Sequence, residues 1–124
     1  MVRGKGIMKE MPSKLLNKLE NLFPNLPYRK RGIKITLDLL KVTIKILNNA
    51  TNKTLPQNCR NETAEKTPYG LDKLVKINLP TSQRTANIVS DILAKKKIVK
   101  IIHVKNKRTE RMIKGTCLVN KWTW

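Results

Sequence analysis

Acidic residues are scarce in this chain: eight Asp and Glu stand against 27 Lys and Arg, a formal charge of +19 at pH 7. So basic a chain repels itself when compact, and a polyanion relieves that repulsion; nucleic acid is the commonest one inside cells. A solvated Lys-rich surface from an AT-rich genome is the plainer account of the same composition. Cysteine is nearly absent as well. Cys59 and Cys117 share no metal-ligand spacing and His103 is the single histidine, which excludes a zinc set. Two free thiols in a reducing compartment are expected, with a Cys59–Cys117 disulfide as the alternative. Aromatic residues make up only 4%, so a core has to be built from Ile, Leu and Val. No apolar run approaches the roughly 18 residues of a membrane span, and no leader-like apolar segment opens the sequence. A cytoplasmic, nucleoid-associated protein without a membrane partner is expected.

Catalytic constellations are missing too. There is no paired-carboxylate site, no Ser/His/Asp set, no phosphate-cradling glycine loop and no metal cluster. An enzyme is therefore not expected, nor any cofactor or metal. The sequons at Asn49, Asn52 and Asn61 read as products of an Asn- and Thr-rich composition.

What is present fits one domain of 124 residues. Charge is concentrated at the two ends: residues 1–35 carry +7, 36–70 carry +2 and 71–124 carry +10. Residues 1–35 read as a basic extension with a flexible tail and a short helix. That helix is capped by Ser13, runs to about Leu22, and carries Leu15, Leu16, Leu19, Leu22 and Phe23 on one face. It can fold onto its own core or form a dimer seam. Residues 24–32 read as a loop holding Arg29, Lys30 and Arg31. Thr36 is placed to cap a second helix that ends near Asn49, with Asp38 in its first turn. Residues 51–69 form a long loop within the domain that spans 36–124. A short strand near residues 53–55 is placed to pair with a later hairpin.

Beyond Gly70 the pattern sharpens. Residues 71–77 predict a short helix with Leu71, Leu74 and Val75 inward, and Asn78-Leu79-Pro80 a turn. A longer helix then opens at Thr81 or Ser82 and reaches about Lys96, with Ala86, Val89 and Leu93 on one stripe. The β-branched run from Ile98 to Val104, a polar turn, and a second strand from Arg111 to Val119 complete a hairpin with a basic tip.

This order resembles a winged helix-turn-helix, and the spacing from Ser82 through Leu93 to Val99 is similar to that of repressors of the multiple-antibiotic-resistance-regulator type. The resemblance covers about residues 70–119. It implies an α+β, mostly helical fold, a winged helix-turn-helix with an additional N-terminal helix. It further implies a sequence-specific transcriptional regulator, expected as a homodimer on a palindromic operator in double-stranded DNA. Thr81, Ser82, Gln83, Arg84 and Asn87 would face base edges in the major groove, where Gln and Asn suit adenine and Arg suits guanine. Lys105, Lys107, Arg108 and Arg111 would grip phosphates or the minor groove from the wing. That family carries Gly where Lys97 stands here. Lys at positive φ costs roughly 1 kcal/mol, so this turn is expected to be built differently.

Lys95, Lys96 and Lys97, like Arg29, Lys30 and Arg31, read first as solvated charge. Trp122 and Trp124 alternate on an extended end segment and suit core or dimer packing, or stacking on bases. The alternative function is a nucleic-acid-binding subunit without sequence choice, on RNA, ribosome or an architectural nucleoprotein. The excess of charge favours that alternative, and displacement by any duplex or RNA would mark it.

Overall fold

The computed structural model describes residues 9–57, 70–79, 85–105 and 110–124. They form an α+β domain with four α-helices and two small antiparallel sheets.

The first helix, α1 (Ser13–Leu22), buries Leu15 and Leu19 and half-buries Leu16 and Leu22, a spacing of three and four that puts them on one side. Ser13 is the first helical residue rather than the cap. Pro12 holds the cap position, and no side chain accepts from the first turn. Phe23 closes the helix, its N–H donating to the carbonyls of Leu19 and Glu20, and Pro24 cannot continue it.

Where the sequence predicts a loop, the chain makes a hairpin. Strands β1 (Tyr28–Lys30) and β2 (Ile33–Ile35) pair antiparallel with Lys30 opposite Ile33. Arg31 and Gly32, at φ +53° and +80°, form the two-residue connection; positive φ at both positions is what a type I′ turn demands. Ile33 and Ile35 are buried, and Lys34 between them is exposed.

Helix α2 (Leu37–Asn49) begins as predicted. Thr36 caps it by accepting from the Leu39 N–H at 3.1 Å. Leu40, Ile44 and Leu47 are wholly buried along it, beside Thr43, whose hydroxyl donates to the Leu39 carbonyl at 2.8 Å. A short 3-10 turn (Thr51–Lys53) leads to strand β3 (Thr54–Pro56). Helices α3 (Leu71–Asn78) and α4 (Ala86–Lys95) follow, then strands β4 (Val99–Lys105) and β5 (Met112–Leu118). The second sheet has the order β3-β5-β4, all antiparallel. The strand expected near residues 53–55 thus pairs with the later hairpin.

The turn between α4 and β4 corrects the expectation for Lys97, which does adopt positive φ, at +61°. The Lys97 N–H donates to the Ala94 carbonyl and the Ile98 N–H to the Leu93 carbonyl, both at 3.0 Å. That pair of bonds is the Schellman closure. Ile98 and Leu93, the two apolar positions that flank such a closure, are both fully buried in the same core cluster.

One core joins these elements. Met11, Leu15, Leu19, Phe23, Ile33 and Ile35 belong to the same buried cluster as the apolar sides of α2, α3 and α4. The apolar side of α1 therefore faces the chain's own core. The C-terminal segment is not extended: a 3-10 turn (Asn120–Trp122) buries Trp122, with the Lys18 ammonium 5.3 Å from its ring centroid. Asn48 clamps Trp124 with two bonds, accepting from its N–H at 2.9 Å and donating to its carbonyl at 3.1 Å. Cys117 is a free, half-buried thiol; Cys59 lies outside the described residues.

Candidate nucleic-acid interface

Of the nine residues singled out for nucleic-acid contact, Asn87, Lys105 and Arg111 are described, and all three are exposed. Thr81, Ser82, Gln83, Arg84, Lys107 and Arg108 lie outside the described residues. Helix α4 starts at Ala86, one residue before Asn87, with Thr85 non-helical at the cap position, and not at Thr81 or Ser82 as the sequence predicts, because the Asp72 carboxylate ends the run of backbone donors there.

The start of α4 is held from another helix. Asp72, buried in the first turn of α3, accepts from the Thr85 N–H at 3.0 Å and the Ala86 N–H at 3.3 Å through one carboxylate oxygen. A negative group there satisfies two donors that the helix cannot satisfy internally and lies at the positive end of its dipole. The Thr85 side chain makes no cap bond, so the acceptor comes from 13 residues upstream. The Asp72 N–H donates to the Gln57 carbonyl at 3.1 Å, and the Gln57 N–H donates to the Lys114 carbonyl at 3.0 Å. A chain of backbone and carboxylate bonds therefore runs from β5, past the end of β3, to the start of α4.

The sheet lies against the same helix. Side chains alternate along a strand, so cross-strand partners share a face with those two positions on. Val99 opposite Leu118 and Ile101 opposite Thr116 form the inner face. Thr116 is fully buried, and its hydroxyl meets that of Ser90 in α4 at 2.7 Å. Continued outward, the same face presents His103 opposite Lys114, then Lys105 opposite Met112. These four are exposed, Met112 at 61%. The packed base of the ribbon thus grades into a cationic outer part on the side that faces α4. Lys105 is not bare, since its ammonium lies 3.9 Å from the Glu110 carboxylate, both well exposed. Pairing of that kind in water is weak and salt-sensitive.

Sequence reasoning missed the contribution of the N-terminal hairpin. Lys30 and Arg31 line a cleft of about 250 Å³ with Ile88, Asp91, Ala94 and Lys95, all on α4. Helical spacing places these four on the side of α4 away from buried Val89 and Leu93. The hairpin so flanks the outward side of the helix, and Ile88 and Asp91 are half-buried there. The alternation Tyr28, Lys30 and Ile33, Ile35 is the one sequence signal for it, three residues on each side of a turn.

Among the described residues no group of three or more His, Cys, Asp or Glu side chains is placed to hold a metal ion, and no helix is long and apolar enough to cross a membrane. The Glu10 carboxyl is bonded to the Lys45 ammonium at 3.0 Å, and that bond, then the charge of the ammonium, hold its pKa below the ordinary 4.5. That pair ties the approach to α1 onto α2. Compared with known proteins, the chain matches no family model, no curated protein and no solved structure.

Proposed function

We propose that this chain binds double-stranded DNA as a winged helix-turn-helix and regulates transcription. The stretch opening at Thr81 and continuing into α4 would meet the major groove, and the β4–β5 ribbon the flanking backbone. The observation that carries this reading is the tie from Lys114 through Gln57 and Asp72 to Thr85 and Ala86. It couples the cationic ribbon at Lys114 to the start of the helix, so the two can engage one duplex as a unit. The element order α2, β3, α3, α4, β4, β5, with β5 central in the sheet, supports the same reading. Asn87 is exposed one residue past the start of the described helix, in the turn from which such helices reach base edges.

The test is selection of bound sequences from a random duplex pool, run beside a random RNA pool. The reading expects a duplex motif, with two-fold symmetry if two copies bind together. Asn87→Ala should relax preference at one position of that motif. Lys105→Ala or Arg111→Ala should weaken all duplexes alike and lower the salt slope by about one each. Equal recovery of RNA and duplex without a motif would replace this reading by the non-sequence-specific one, which the +19 charge favours.

A further inference from the structure

A cavity larger than the cleft beside α4 adjoins it among the described residues. It is an open groove of about 550 Å³ between the end of α1, strand β1 and the last turns of α4. Sites for small organic ligands span roughly 300–1,000 Å³. Leu22, Phe23, Tyr28 and Ile92 give it an apolar wall with two aromatic rings. Lys30, Lys95 and Lys96 also line it, bringing three cationic side chains to its edge, and among the described residues no carboxylate lines it. Among the described residues none of the three lysines is in an ion pair; the Lys96 ammonium sits 5.8 Å from the Phe23 ring centroid. Lys30 and Lys95 also line the adjoining cleft, so the two concavities meet.

A bare phosphate backbone has no use for an apolar aromatic wall, and an uncharged apolar ligand has none for three lysine side chains. A molecule with one flat apolar part and one anionic part answers both. We infer that this groove takes a nucleotide, its base against Tyr28 and the apolar wall and its phosphate among Lys30, Lys95 and Lys96. Base–aromatic stacking and phosphate–ammonium attraction are the two ordinary components of such binding. The same chemistry comes from two sources: a free nucleotide, or an unpaired nucleotide at the end or bulge of a bound strand. The residues concerned are separate from Asn87, Lys105 and Arg111, so the inference stands whether or not duplex DNA is read by α4.

The test is a titration of the whole chain with AMP, followed by amide chemical shifts, with inorganic phosphate at equal ionic strength as the control. AMP should shift amides around Tyr28, Lys30, Ile92 and Lys96, and phosphate should do so at least tenfold more weakly. The triple variant Lys30→Gln, Lys95→Gln, Lys96→Gln should weaken AMP about tenfold or more, because the anionic end loses its partners. Tyr28→Leu, which keeps an apolar strand residue, should weaken AMP but leave phosphate unchanged. If Tyr28→Leu fails to fold, the triple variant, whose substitutions lie on exposed or half-exposed side chains, decides. In parallel, a duplex with a two-nucleotide overhang is compared with its blunt counterpart. Tighter binding of the overhang, lost in the triple variant, assigns the groove to a strand nucleotide; AMP binding without that gain assigns it to a free one. Equal shifts from phosphate and AMP overturn the inference, as does the absence of both AMP shifts and an overhang preference.

Discussion

Replacing Asp72 by Ala tests how the start of α4 is held. Asp72 is 8% exposed, and its carboxylate accepts from two backbone donors, Thr85 and Ala86, whose residues are each 2% exposed. Each buried donor left without a partner costs about 1–3 kcal/mol, and losing a negative group at a helix N-terminus costs about 0.3–1 kcal/mol more. Relaxation and water entry will recover part of this. We therefore expect Asp72→Ala to lose about 2–3 kcal/mol of unfolding free energy in urea at neutral pH, at or above the upper end of about 2 kcal/mol for ordinary cap substitutions. For a chain of this size that is a fall in melting temperature of roughly 8–12 °C. Asp72→Asn keeps an oxygen acceptor but not the charge, and should lose about half as much. The local signature is hydrogen exchange: the Thr85 and Ala86 amides should lose more protection than those of Val89 and Leu93. A loss under about 0.5 kcal/mol for Asp72→Ala, typical of a featureless surface change, would refute the capping argument. So would unchanged protection of those two amides.

Other changes probe the frame around the interface. Lys97→Gly relieves a left-handed residue at φ +61° and should raise stability by about 0.5–1 kcal/mol, read from thermal melts. Gly115→Ala puts a methyl 3.0 Å from one Val104 methyl and 3.3 Å from the Leu55 carbonyl oxygen; a loss of about 1–2 kcal/mol is expected, with broadened β4 and β5 amide signals. Glu10 should titrate below 4.5 in a carbon-detected NMR experiment and return toward that value in Lys45→Met. Because its pKa is lowered in the folded state, the small stability tied to that pair is present at neutral pH and lost as pH falls through the folded value.

The helices, apart from the starts of α1 and α4, were legible because their signals are local and repeated. Thr36, Asp38 and the run Leu40, Ile44, Leu47 agree on one helix, and the structure gives it the same start and end. The β4–β5 hairpin was legible for a like reason, since seven residues on each side keep β-branched or alternating character. The β1–β2 hairpin was not. Its strands have three residues each, and its left-handed turn position holds Arg31 instead of the Asn or Asp that signals such a turn.

Lys97 shows what decides such cases. Left alone, a lysine resists positive φ by roughly 1 kcal/mol. Here two hydrogen bonds close the end of α4, and full burial of Ile98 against the core accompanies them. Burying an aliphatic side chain of that size yields about 1.5–3 kcal/mol, more than the backbone strain. The turn is therefore dictated by the residue after Lys97 rather than by Lys97 itself. The Asp72 cap follows the same logic at longer range: its donors are 13 and 14 residues away, beyond any local capping pattern, and become its partners only when α3 and α4 pack. Likewise the groove draws its aromatic wall from the end of α1 and from β1 and two of its ammonium groups from the end of α4. Each side reads alone as ordinary core or ordinary charge, and ligand-binding character arises where packing sets the two face to face.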